Sequence, residues 1–276
     1  MNQYYFLFAL AFIWTLVATI QDIKKREVAN WLNFSLIAFA LAYRAFYALH
    51  SSLNFFLYGL IGFVLFFVIS YALYYARAFA GGDAKLLMGF GIILPYEKIT
   101  DFFFLPLIFL FALFFIGAIY SLLYSISIVI KNEKQFKKEF SSKFKKNKIV
   151  NTMALIIFTI LIIAGFRNQL AFFFSIFFLI PIIITYTKSL DKCMIKLYHP
   201  EKLTEGDWLE KEVRVGGKTI KKSVHGLSLD DIELLKRHNR SVLIKEGIPF
   251  VPAFLITLIV MGYVLLVLHW SPTILL

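Results

Sequence analysis

Two aspartates stand where a carboxylate is costly to place. Asp22 follows Gln21 and the largely apolar run Tyr4 to Ile20, and Asp83 follows Gly81 and Gly82 at the start of the apolar stretch Ala84 to Pro95. An aspartate at the centre of a membrane helix costs roughly 2.5 to 3.5 kcal/mol, and less near the interface, so carboxylates in such positions are functional candidates by default. Two carboxylates close together in a low-dielectric setting cannot both ionise easily, so one keeps its proton while the other is charged. That pair suits peptide hydrolysis. The ionised partner takes a proton from water, and the protonated one donates to the scissile carbonyl. Gly81 and Gly82 would let the backbone approach a substrate or an opposing helix closely. Lys85 would share the same polar notch, as a substrate contact or by reaching out of it. The competing reading makes Asp83 a helix cap and Asp22 a solvated helix end. The two glycines, the common face and the short following stretch together favour chemistry. Asp101, beside Glu97, reads as a plain cap on the other side, and Asp207, Asp230, Asp231 and Glu233 read as surface or capping groups.

The elements that would position this pair are membrane helices. The chain is 60 % hydrophobic and 18 % aromatic, and its 276 residues could not hide such long apolar runs in a soluble core. Spans are expected at Tyr4 to Ile20, Trp31 to Leu49, Phe55 to Ala76, Phe102 to Ile130, Ile149 to Phe166, Leu170 to Tyr186 and Phe250 to Leu268, with the short stretch Ala84 to Pro95 as the fourth of about eight. Twelve helical residues rise only about 18 Å against about 30 Å of hydrocarbon. If Pro95 reaches one boundary, Asp83 lies in a recess below the other, with Ala80-Gly81-Gly82 lining a cavity where non-helical chain is permitted. The first run lacks a basic residue before it and carries Lys24, Lys25 and Arg26 behind it, so a retained helix is expected rather than a cleaved signal.

Charge sets the expected orientation. With the N-terminus outside, residues 21 to 30, 77 to 85, 131 to 148 and 188 to 247 face the cytoplasm and hold 26 of the 29 lysines and arginines. The net charge of +12 is therefore a topology signal, and nucleic acid is not an expected partner. Both aspartates then share the cytoplasmic face. The expected organisation is residues 1–187 for seven spans, with 131–148 as a basic cytoplasmic loop, 188–247 as a small cytoplasmic domain and 248–276 for the last helix. The basic segment Lys131 to Lys148, with Phe136, Phe140 and Phe144 four apart, reads either as an amphipathic helix on anionic lipid or as a solvated topology-setting loop. In the cytoplasmic segment, Gly216 and Gly217 form a strand-joining turn, and Ser228 with Asp231 forms a capping box before a short helix. The fold class is thus an all-α integral membrane protein with a small α+β segment before its last helix. One cysteine, Cys193, and five histidines without ligand spacing point to no structural metal, and no cofactor is expected.

Three segments resemble a known family. Asp22-Ile23-Lys24-Lys25-Arg26-Glu27-Val28-Ala29-Asn30-Trp31-Leu32 is similar to the first-aspartate segment of the archaeal type IV prepilin peptidases and preflagellin (prearchaellin) peptidases, which are GxGD membrane aspartic proteases. Ala80-Gly81-Gly82-Asp83-Ala84-Lys85-Leu86-Leu87 looks like their second-aspartate segment, with Ala80 in place of the first glycine. Glu246-Gly247-Ile248-Pro249-Phe250-Val251-Pro252 looks like the return of archaeal members into the membrane. The resemblance implies that Asp22 and Asp83 are the catalytic pair of an aspartic endopeptidase. Its partners would be pilin-like or archaellin precursors, cut behind a short basic leader at the cytoplasmic boundary of the bilayer. The paired CxxC motifs of methylating bacterial relatives are missing, so no methyltransferase activity is expected.

Two other readings compete. In presenilin-type or signal-peptide-peptidase-type enzymes, a Pro-Ala-Leu motif accompanies the aspartates, and Pro252-Ala253-Phe254 matches it only in part. A transporter or channel could use Asp22 and Asp83 to bind cations or relay protons. Such folds show two related halves with paired broken helices, whereas here there is one short span and no internal repeat.

Overall fold

A computed structural model describes residues 2–223 and 226–268. Its helices are α1 (Asn2–Lys25), α2 (Asn30–Ala48), α3 (Leu53–Tyr75), α4 (Gly81–Ile93), α5 (Asp101–Lys131), α6 (Glu133–Lys146), α7 (Lys148–Gly165), α8 (Gln169–Phe177), α9 (Ile180–Cys193), α10 (Leu229–Arg237) and α11 (Val251–Gly262). Among the described residues, five helical stretches are long and apolar enough to cross a membrane: Gln3–Lys25, Leu53–Tyr75, Asp101–Lys131, Lys148–Gly165 and Gln169–Cys193. A multi-pass helical membrane protein follows from these. Helices α2, α4 and α11 occupy the places of the other three expected spans and are not among these five; α4 has thirteen residues, and the apolar helix at α11 runs Val251–Val267 among the described residues. Of the expected last segment, 269–276 lie outside the described residues.

The chain divides into two compact units, Met1–Leu122 with Ile248–Leu276 and Leu123–Gly247. In the first, α4 is the central element. Its thirteen residues rise only about 20 Å, and Ala84, Leu86, Leu87, Gly89, Phe90, Gly91, Ile92 and Ile93 are all buried. It packs against α3, α2 and α1 rather than facing lipid. The α3 contact is backbone to backbone. A Cβ added at Gly62 would lie 2.2 Å from the Gly91 carbonyl oxygen, and one at Gly91 would lie 2.4 Å from that of Gly62. Only glycine permits helices to approach so closely.

A short helix that stops inside a membrane unit leaves unpaired carbonyls, which are costly away from water. Arg44 of α2 meets that need. It is fully buried, and its guanidinium donates to the carbonyls of Ile92 (2.7 Å), Leu94 (2.8 Å) and Phe55 (2.7 Å). The aromatic rings of Phe55 and Tyr4 flank it. Gly59 leaves room for it, since a Cβ there would stand 2.2 Å from Arg44 Cδ. The carbonyl end of a helix carries partial negative charge, which suits a buried cation.

In the second unit, α6 fills the basic segment between α5 and α7. Phe136, Phe140 and Phe144 form a ladder along it, and Phe136 meets Tyr186 edge-on. Its apolar stripe therefore packs on α9, while Lys134, Lys137, Lys138, Lys145 and Lys146 are exposed. The expected span Leu170 to Tyr186 is broken between α8 and α9. Pro181, which has no N–H to return to the preceding turn, stands at the break. Helix α9 then runs seven residues past Tyr186, and Asn151 of α7 bonds Thr185 of α9 at 3.3 Å.

Beyond α9, strands β1 (Ile195–Tyr198) and β4 (Val242–Lys245) pair antiparallel, as do β2 (Val213–Val215) and β3 (Lys218–Ile220). Gly216 and Gly217 make the expected turn with φ of +56° and +81°. Ser228 caps α10 reciprocally with Asp231. Nine buried apolar residues, among them Leu209, Ile232, Leu235 and Ile244, form the small core. Glu210 accepts from Lys192 at 2.7 Å, and that bond holds its carboxyl below the usual glutamate range.

Arg44→Met should lower the thermal midpoint of the detergent-purified protein, because it removes three buried hydrogen bonds and leaves the Ile92 carbonyl in the last turn of α4 without its donor, at roughly 1 to 3 kcal/mol before relaxation. Arg44→Lys should recover only part of the loss, since one ammonium cannot reproduce the planar fork. A midpoint unchanged in Arg44→Met would show that water replaces the guanidinium.

Candidate active site

Asp22 sits one turn from the end of α1. The helix closes there with Arg26 in the left-handed region (φ 60°), whose N–H returns to the Asp22 carbonyl at 2.9 Å. The side chain is turned inward and only 7 % exposed. Its Oδ2 accepts the Val251 N–H at 2.9 Å, and the Phe250 amide also meets the carboxylate. Those amides begin α11, where Pro252 removes one of the helix's free N–H groups. A carboxylate placed at a helix N-terminus satisfies orphan donors and complements the dipole. Asp22 is thus no solvated helix end.

Asp83 lies in the first turn of α4 and is half-buried, with Oδ2 accepting the Ala80 N–H at 3.3 Å. This is the capping contact that the competing reading foresaw, although a long one. The two carboxylates are close enough for the charge of Asp22 to act on Asp83. No hydrogen bond joins them among the described residues.

The residues after Asp22 wall the start of α4. A Cβ added at Gly82 would lie 3.4 Å from Val28 Cβ, and one at Gly81 would meet only Tyr74, at 3.8 Å. Both are ordinary contact distances, and neither glycine has a positive φ, so internal packing does not demand glycine here. Val28 fills the space at Gly82, whereas Gly81 leaves nearly open space two residues before Asp83. Lys85 donates to Asn30 Oδ1 at 2.6 Å and stands 5.8 Å over the Phe34 ring, so its ammonium is directed toward α2. Asn33 Nδ2 reaches the Gly82 carbonyl at 3.4 Å.

Sequence reasoning quoted Asn30 and Val251 within motif segments but gave neither a role, and it passed over Asn33. A polar residue three positions beyond Asn30, on the same helix face, was the available signal. Asp101 behaves as a cap, accepting from the Glu97 and Lys98 amides at 2.8 Å each. Asp207 likewise closes a turn by accepting from the Thr204 N–H, and burial pushes its carboxyl up. No group of three or more His, Cys, Asp or Glu is placed to hold a metal ion among the described residues.

The model of the type IV leader peptidase family matches residues 9–122, a stretch that contains both aspartate segments. Over those residues the chain is similar to that family. The Glu246 to Pro252 segment, which supplies the amide donors to Asp22, lies outside the stretch that matches the leader peptidases. No curated protein and no solved structure matches the chain.

Because Asp22 holds the start of α11, Asp22→Ala should destabilise the protein by about 0.5 to 2 kcal/mol, the range for a lost helix cap. Asp83→Asn keeps an acceptor for Ala80 and removes a charge beside Asp22, so its thermal midpoint should stay level or rise. Opposite signs for the two variants in one detergent unfolding series check this; a drop in Asp83→Asn would contradict it.

Proposed function

We propose that this protein is a membrane aspartic endopeptidase that removes short basic leader peptides from type IV pilin-like or archaellin precursors at the cytoplasmic membrane boundary. The observation that carries this reading is that the last turn of α1 and the first turn of α4 bring Asp22 and Asp83 into electrostatic reach of each other, within a segment that matches the leader peptidase family. The basic residues support the orientation, since Lys24, Lys25, Arg26 and Arg77 flank the same ends.

In this mechanism the pair holds one proton between two carboxyls. The ionised carboxylate takes a proton from water as its oxygen attacks the scissile carbonyl carbon. The protonated carboxyl gives its proton to the carbonyl oxygen, forming a neutral tetrahedral diol. Collapse breaks the C–N bond. The proton taken from water passes to the departing nitrogen, and the diol returns a proton to the other carboxyl, so the pair ends with one proton, as it began. The nearly open space at Gly81 would let an extended peptide lie against the backbone beside Asp83. Asp22 is held from behind by the start of α11 and needs no substrate to fix its direction.

Asp22→Asn and Asp83→Asn should each reduce cleavage of a co-expressed pilin-like precursor in membranes by on the order of 100-fold or more. Wild-type-like cleavage by either would sink the assignment. The wild-type rate should follow a bell in pH. Below the lower apparent pKa of the pair no base remains, and above the upper one no acid remains. A rate that rises to a plateau at high pH would argue for a different chemistry.

A further inference from the structure

The start of α4 is gripped by two polar contacts from one face of α2. Asn33 Nδ2 donates to the carbonyl of Gly82, the residue before Asp83, and Asn30 Oδ1 accepts from Lys85, two residues after it. Asn30 and Asn33 are three apart on α2, as Gly82 and Lys85 are on α4, so both pairs stand on neighbouring turns and bracket the aspartate. Apolar contacts complete the fit, with Val28 over Gly82 and Leu36 under Gly89. Such contacts set the spacing between helices but are non-directional, and they resist a small rotation of α4 weakly. Hydrogen bonds are directional. A rotation about the α4 axis is the motion that would swing Asp83 away from Asp22.

Stability does not account for Asn33. It is only 1 % exposed, and its Oδ1 is buried with no partner among the described residues. A buried amide with its acceptor half unmet is a net cost beside an apolar residue of the same size. The return on that cost lies in where the amide points, which is the peptide unit joining Gly82 to Asp83. Two carboxylates that share one proton work only when held within a fraction of an ångström and a few degrees of the productive arrangement.

We propose that Asn33, seconded by the Asn30–Lys85 bond, is a positioning residue that sets the direction of Asp83 relative to Asp22. This rests on the peptidase reading for its catalytic consequence, though not for its structural one. Asn33 touches neither carboxylate and acts through the Gly82 carbonyl.

The test uses the full-length protein in detergent-lipid micelles, as wild type, Asn33→Leu (same size, no amide) and Asn33→Ser, which keeps a short donor should the leucine variant fold poorly. Cleavage of a purified precursor should show kcat reduced about tenfold or more in Asn33→Leu, with KM changed by less than about twofold and partial recovery in Asn33→Ser. Because a looser pair interacts less, its two apparent pKa values converge and the pH bell should narrow. Hydrogen exchange read by mass spectrometry should speed up at the first turn of α4, Ala84 to Leu86, with α3 unchanged. Wild-type kcat and bell width in Asn33→Leu, or a rise in KM alone, overturns the proposal. Unchanged exchange at Ala84 to Leu86 in both variants also overturns it, whatever the activity. If the wild type cleaves no precursor yet exchange speeds up in Asn33→Leu, the peptidase reading fails while the positioning role stands.

Discussion

One buried guanidinium carries the architecture of the first unit. A helix that ends within a membrane protein must find donors for its last carbonyls, and Arg44 brings three N–H groups to Phe55, Ile92 and Leu94. That bond set is what allows α4 to be short. At the opposite end of this short helix, Asp83 lies in its first turn. The rest follows from the same constraint: Gly59 is small to admit the arginine, and Gly62 meets Gly91 so that α3 can close against a helix buried on nearly every side.

The site at the other end of α4 is composite. Asp22 comes from α1, and its direction is set by amides that begin α11, some 229 positions further along the chain. Asp83 comes from α4, and Val28 before α2 with Asn30 and Asn33 in the first turn of α2 pack on its neighbours Gly82 and Lys85. The segment that carries the first aspartate is therefore also the wall of the second. Each carboxylate accepts a main-chain N–H on its Oδ2, from Val251 for Asp22 and from Ala80 for Asp83. Lys85, which could have neutralised Asp83, is drawn to Asn30 instead.

The second unit solves a different problem. Along its basic helix α6 the three phenylalanines are half-buried, Phe136 meets Tyr186 of α9, and most of the lysines are exposed. The polar segment after α9 closes a core of nine apolar residues by pairing β1 with β4 across the whole segment, a long-range contact that the two local signals, the Gly216-Gly217 turn and the Ser228 cap, could not announce.

The sequence by itself determined whatever depends on composition and local pattern. Long apolar runs mark the helices because no other solvent accepts them, Gly216-Gly217 marks a turn, and Ser228 with Asp231 marks the start of a helix. Tertiary structure decided which groups meet. The α11 amides on Asp22, the Asn33 contact to Gly82, the arginine at the end of α4 and the break at Pro181 all join or divide elements through geometry that no short window contains. Span counting met the same limit: α4 reads as a short membrane crossing from its apolarity, but its apolar faces are spent on α1, α2 and α3. Hydropathy records how much surface must leave water, and only packing decides whether lipid or protein receives it.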